Sequence, residues 1–180
     1  MTNDGPDADV WSTFCDTAGR IVWATVSTVG AGGVPRSRVL HPLWSDTGQT
    51  CQGWVLTRAT PLKLDHVARH PYVSVSYWHP DHSTATAECR AAWGSALDVD
   101  RAWQRALDLP APYGYDPSAI WPQGPGGGGS ADCAVLVLTP WLIRAASADQ
   151  LRCGQPATWI SADRPAASHR DGAVGHRVPA

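Results

Sequence analysis

The stretch LTRATPLKLDHVARHP, residues 56–71, is the natural starting point for this chain. Thr60 followed by Pro61 has the form of a helix N-cap and first helical position. Leu64, Val67 and Ala68 stand at i, i+3 and i+4, which predicts a short helix over 61–70 with one apolar face. Pro71 ends it. The first turn is unusual because Lys63 and the nearby Arg58 bring positive charge to the positive end of the helix macrodipole. Cations there are disfavoured by about 0.3–1 kcal/mol. An anion seated on that turn would account for the arrangement.

Working outward, strands surround this helix. CQGWVLTRA (51–59) precedes it, and YVSVSYW (72–78) follows with clean alternation. Upstream, IVWATVST (21–28) and VPRSRVLHPLW (34–44) read as a hairpin joined by the turn GAGG (30–33), with Pro35 and Pro42 suited to strand ends or an edge. Downstream, TATAECRAAWGSALD (84–98) reads as a long strand with Gly94 at a bend or bulge. ADCAVLVLTPWLIRAAS (131–147) reads as the last strand, kinked at Pro140. DADVWSTFCDTAGR (7–20) has helical spacing at Val10, Trp11 and Phe14, with Gly19 as its stop. VDRAWQRALDL (99–109) is the second long helix, with Ala102, Trp103, Ala106 and Leu107 on one side. Hairpins outnumber β-α-β units, so the expectation is a mainly β, α+β protein whose mostly antiparallel sheet closes into a barrel. Residues 1–160 form a single domain in this reading. Residues 161–180 carry almost no large apolar side chain and read as a disordered tail.

Composition narrows the function. The net charge of −2 over 180 residues gives no global basic footprint for nucleic acid. Five cysteines, an odd number with no C-x-x-C pair, argue against a disulfide framework or zinc site. MTNDGPDADV is acidic and polar, unlike a signal peptide. No apolar run approaches the roughly 18 residues of a membrane helix. The expectation is a reduced, soluble, cytoplasmic protein that binds neither nucleic acid nor membrane.

The candidate chemistry centres on Thr60 and Lys63. A helix start offers unpaired N–H groups, Thr60 a hydroxyl and Lys63 an ammonium. In RSRVL, Arg36 and Arg38 are two apart and share one face of a strand. If that strand neighbours the end of 51–59, a guanidinium and an ammonium converge on one phosphate. The alternative is a solvated basic surface with ordinary capping. His66 and His70 stand four apart but lack a third metal ligand nearby, so they read as surface histidines. HPDH (79–82) reads as a polar hairpin loop. A lone axial haem ligand remains open for these histidines and for His41. GPGGGGS (124–130) reads as a flexible loop, because no G-K-[ST] follows. No G-x-S-x-G supports a hydrolase. Trp93, Trp103, Tyr113, Tyr115 and Trp121 read as core or interface packing, with a substrate-pocket wall as the alternative.

The ordered set VWATVST, GVPRSRVLHPLW, GWVLTRATPLKLDHVARHPYVSVSYWHP and ATAECRAAWGSA resembles the pyridoxamine 5'-phosphate oxidase-like flavin-binding split-barrel family. The resemblance spans roughly residues 10–145. It implies a six-stranded antiparallel split β-barrel, usually a homodimer, with the cofactor at the subunit interface. Carried over by position, Arg38 and Lys63 hold the cofactor phosphate. Val39, Leu40 and His41 lie along the isoalloxazine, and Thr57, Arg58 and Thr60 line the ribityl and phosphate end. Arg90 stands where the family often has a polar residue reaching the flavin across the dimer. YGYDPSAIW (113–121) is a lid over the flavin in this reading. The implied activity is an oxidoreductase moving hydride between FMN and a small organic substrate, with no obligatory catalytic side chain. Relatives include coenzyme F-420-dependent reductases and non-catalytic flavin or haem carriers. ATWISADRPAASHRDGAVGHRVPA (157–180) does not resemble the segment that grips pyridoxal phosphate in the vitamin B6 oxidase.

Overall fold

A computed structural model describes residues 5–46, 51–125 and 132–165. The elements run α1 Ala8–Ile21, β1 Ala24–Val29, β2 Pro35–Leu40, β3 Leu43–Asp46, β4 Cys51–Thr57, α2 Pro61–Arg69, β5 Tyr72–Trp78, β6 Thr84–Trp93, α3 Ala96–Asp108, β7 Ala134–Ala146, α4 Ala148–Arg152 and β8 Ala157–Ile160. The strands form one antiparallel sheet in the order β2-β1-β5-β6-β7-β4-β3, with β8 added along β7. β2 and β3 sit at the two ends of that path, yet only His41 and Pro42 separate them in sequence. The sheet must therefore curl until its ends meet, leaving a seam at this corner. The result is a split barrel.

Alternation places the core. β5 and β6 bury Val73, Val75, Tyr77, Ala85, Ala87, Cys89 and Ala91 on one face. α1 covers that interior with Val10, Phe14 and Ala18, spaced on one helical face. Phe14 is fully buried, edge-on to Trp44 at 4.9 Å and to Tyr77 at 6.1 Å. The Trp44 Nε1–H donates to the Tyr77 hydroxyl at 2.8 Å, satisfying both polar tips inside the core. β4 is buried on both faces. Val55 faces the barrel, and Trp54 and Leu56 pack with Val99 and Ala102 of α3.

Several expectations change. The strand expected over 34–44 is two, because Pro42 is buried without an N–H to offer a ladder. That break and β8 raise the strand count from the implied six to eight. Gly19 does not stop α1, which runs to Ile21 and closes on Val22 at φ 70°, so β1 begins at Ala24 rather than 21. The strand expected over 84–98 ends at Trp93. There the Gly94 N–H donates to the Val135 carbonyl at 2.9 Å, and a Cβ on Gly94 would lie 2.6 Å from Val135 Cγ1. Ser95 and Asp98 then form a reciprocal capping box for α3. The sheet's irregularity lies instead between Glu88 and Cys89, opposite the expected kink at Pro140.

On α2 the buried pair is His66 and Val67, while Leu64 and Ala68 are exposed. His66 is therefore not a surface histidine. His79 does sit in a polar loop, 3.0 Å from the Asp81 carboxylate that also meets Arg20. Ser161 is buried and its N–H donates to the Trp141 carbonyl, so the first expected tail residue is anchored. Residues 166–180 of that tail, and 126–130 of the glycine-rich loop, lie outside the described residues. Among the described residues no helix is long and apolar enough to cross a membrane.

Candidate cofactor site

The opening turn of α2 forms as its sequence implies. Thr60 is the N-cap, its hydroxyl accepts the Lys63 N–H at 3.4 Å, and Pro61 occupies the first position with no acidic residue in the turn. The Lys63 ammonium folds back towards the end of β4, donating to Thr57 Oγ1 at 2.6 Å and to the Arg58 carbonyl at 3.1 Å. Arg38 approaches from β2, where its Nη1–H donates to Thr28 Oγ1 at 2.9 Å. Arg38, Thr57 and Lys63 line one small cavity of about 20 Å³, floored by Val26, Val67 and Leu136. β2 and β4 do not pair. The expectation that they neighbour one another is replaced by closure of the barrel, which brings their residues together across its interior.

This cluster has an electrostatic deficit. No carboxylate of the described residues forms an ion pair with Arg38, Arg58 or Lys63. Burial depresses the Lys63 pKa below its ordinary 10.5, and the charges of Arg38 and Arg58 depress it further. Three cations sharing a partly buried corner are stabilised by an anion more than by any residue present.

A larger cleft of about 430 Å³ adjoins the cavity, and Leu40 lines both. Val39, Leu40 and His41 line it together with Trp23, Tyr115 and Ile120. Tyr115, Asp116, Ala119 and Ile120 of the 113–121 segment are among the residues that line the cleft. Trp23, Val39 and Ile120 are largely exposed apolar side chains at the rim. His41 is buried among Trp23, Tyr113 and Tyr115, with ring centroids 5.3, 5.6 and 4.9 Å away. Its Nε2 has no hydrogen-bond partner. Tyr113 locks the corner beneath: its hydroxyl accepts the Trp44 N–H at 2.8 Å and donates to the Pro42 carbonyl at 3.1 Å.

Of the expected site residues, Arg38, Leu40, Thr57 and Lys63 meet in the cavity, and Val39, Leu40 and His41 in the cleft. Arg58 and Thr60 are exposed and line neither the cavity nor the cleft. Arg90 stands apart, exposed on the outer face of β6 beside Tyr72 of β5, whereas Trp93 of the same strand lines the cavity. Of the five aromatic residues weighed for a pocket wall, Tyr115 and Trp93 serve as such; Trp121 packs in the cluster between β4 and α3, with Trp103 of α3 against it, and Tyr113 joins the main core. Sequence reasoning missed Thr28, which stands two residues beyond Val26, the β1 partner of Arg38. Two-residue periodicity along β1 was the available signal.

No protein-family model matches the chain, and no curated protein matches it significantly. Solved structures do. A protein from Clostridium acetobutylicum related to general stress protein 26 of B. subtilis, of the pyridoxinephosphate oxidase family, superposes with a TM-score of 0.63 at 11% identity, covering 86% of this chain and 96% of that one. A pyridoxamine 5'-phosphate oxidase-related, FMN-binding protein from Nostoc punctiforme superposes at 0.58 and 16% identity, covering 87% and 90%. A haem-binding protein from Mycobacterium smegmatis superposes at 0.59 and 15% identity, covering 87% of this chain and 59% of that one. The seam between β2 and β3 and the antiparallel order around it are thus those of a known architecture: this chain has the split-barrel fold of pyridoxamine 5'-phosphate oxidase-related proteins.

Proposed function

We propose that this protein binds FMN and transfers hydride between it and a small organic substrate. The observation that carries the reading is the meeting of Arg38 and Lys63 in one cavity without a counter-charge, beside an apolar cleft. Arg38 and Lys63 would hold the phosphate, with Thr57, Thr60 and Arg58 around it. A guanidinium suits bidentate contact with phosphate oxygens, and the ammonium adds a point charge. Val39, Leu40 and His41 would carry the ring system. FMN, when bound, supplies a two-electron hydride donor and acceptor, which the protein need only position and shield from water. Trp23, Tyr115 and Ile120 provide that shielding. We assign no side chain as an obligatory acid or base.

The functional unit in this reading is a homodimer with the cofactor at the subunit interface. The exposed Trp23 and Val39 at the cleft rim support it, because a second copy would cover them. Arg90, remote from the cavity of its own chain, then serves the site of its partner. The visible spectrum of freshly purified protein tests the cofactor: a retained flavin band and NAD(P)H reoxidation under air are expected. A colourless protein that binds added coenzyme F-420 replaces FMN with the deazaflavin. A Soret band favours the competing reading of a haem-binding protein, for which the unpartnered Nε2 of His41 offers a ligand.

A further inference from the structure

α3 carries two faces. Val99, Ala102 and Ala106 are its buried residues. Arg101, Gln104, Arg105 and Asp108 recur at i, i+3, i+4 and i+7, so they share a second face of the same helix. With Ser45 of β3 and Gln52 and Trp54 of β4 they line a groove of about 550 Å³. Ser45 and Gln52 are direct partners across that hairpin. Only Trp54 among these residues is apolar, and none of them lines the cofactor cavity or the apolar cleft.

Arg105 is the anchor of this groove. It is half-buried, and its Nη2–H donates to the Trp44 carbonyl at 3.0 Å. Its Nε–H is enclosed without an acceptor, and among the described residues it forms no ion pair. The guanidinium is thus held in place by a neutral carbonyl while its charge stays uncompensated. Arg101, one turn earlier, lies 3.7 Å from one oxygen of Asp98, whose other oxygen accepts the Ser95 hydroxyl and N–H. Asp108 does not pair with Arg105 despite the i, i+3 spacing, and instead accepts the Gln104 amide at 2.8 Å. Two guanidiniums against one carboxylate leave the groove with a surplus of one positive charge.

That surplus defines the ligand. A planar guanidinium fork matches a planar carboxylate through two parallel N–H···O bonds. Gln52, Gln104 and Ser45 add uncharged donors along the groove. A phosphate dianion would bring a second negative charge into a groove that already holds Asp108, which a monoanion avoids. We propose that the groove between α3 and the β3–β4 hairpin binds the carboxylate of a small organic acid, with Arg105 and Arg101 as its charged partners. This site is separate from the cofactor site, and it stands whether or not FMN binds.

Heteronuclear NMR of the full chain tests this, reading the Trp54 indole N–H and the Gln52 side-chain amide as acetate is added at constant ionic strength. Acetamide, of nearly the same shape but uncharged, is the control, and inorganic phosphate is the third probe. The expected result is a saturable shift of both signals with acetate and none with acetamide. Acetate affinity should fall about tenfold in Arg105→Gln and in Arg101→Gln. Arg101 is exposed and has no contact with Trp44, so its variant decides the matter if loss of the Trp44 contact unfolds Arg105→Gln. Equal shifts with acetate and acetamide, a response to acetate that never saturates, or unchanged acetate affinity in Arg101→Gln overturns the proposal. Tighter binding of phosphate than of acetate at the same two signals overturns the carboxylate assignment.

Discussion

Arg38 and His66 share a single hydroxyl. Thr28 Oγ1 accepts the Arg38 Nη1–H at 2.9 Å and lies 2.9 Å from His66 Nδ1. A guanidinium only donates, so the Thr28 hydroxyl accepts from Arg38; its own proton can go to His66 Nδ1 or to the Arg36 carbonyl at 3.5 Å, and the tautomer of His66 decides which. An arginine of the anion site is thereby oriented from behind by a buried histidine on the helix that supplies Lys63.

Thr28→Val keeps the shape and removes the hydroxyl. It strands His66 Nδ1 in the interior, at a cost of about 1–3 kcal/mol, and releases Arg38. Denaturant unfolding should show that loss, and FMN affinity should fall several-fold. Thr28→Ser, which restores the hydroxyl, should recover both.

Lys63→Ala should weaken FMN binding by on the order of 1.5–3 kcal/mol, the worth of a charged hydrogen bond. Riboflavin, which lacks the phosphate, should bind both proteins alike. Equal FMN affinity in the variant and the parent places Lys63 outside the site.

The pH dependence of FMN binding follows from the same residue. Lys63 titrates below its ordinary 10.5 in the free protein, through burial and the charges of Arg38 and Arg58. A bound phosphate dianion favours the ammonium and raises that pKa. Affinity is therefore complete below the free-protein pKa and is lost as pH rises through the bound-state value. Titration should show FMN affinity declining from a pH below 10.5. Lys63→Arg should remain flat over that range, because a guanidinium stays charged.

Gly30 faces His66 so closely that an added Cβ would lie 2.8 Å from His66 Nε2. Gly30→Ala should displace the imidazole and lower stability by about 1–3 kcal/mol. Because His66 backs Thr28, FMN affinity should fall with it. A control, Gly32→Ala, where φ is +73° and an added Cβ would meet nothing within 4 Å beyond its chain neighbours, should lose stability through backbone strain while leaving affinity unchanged.

His41 should leave an acid signature. Burial holds its folded pKa below 6.5, so the unfolded chain takes up a proton first as pH falls. Its contribution to stability is present above the unfolded value and is lost as pH falls through the folded one. Thermal melts from pH 7 to pH 4 should drop less steeply in His41→Phe than in the parent.

Local patterns carried much of this structure. Alternation in YVSVSYW marked β5 residue for residue, and Thr60-Pro61 placed the start of α2. Where two signals competed, the reading slipped. WGSALD continues the apolar run of β6, but Ser95 and Asp98 satisfy a helix N-terminus that the strand has no use for. In VPRSRVLHPLW the β-branched pattern hid the corner at Pro42, which becomes a corner only because the barrel closes there. Leu64 and Ala68 looked like the buried face of α2, but a histidine satisfied by Thr28 is the better occupant of the interior.

By itself the sequence determined the β1–β2 hairpin, where α2 begins, and that cations gather near its first turn, because these depend on neighbours within a few residues. Only the tertiary structure decided that Arg38 and Lys63 share a cavity, that Arg90 faces away from it, and that His41 Nε2 is left unsatisfied beside an aromatic cleft. Those relations arise from closure of the sheet. It brings together residues on strands that never pair, and no local periodicity encodes the distance between them.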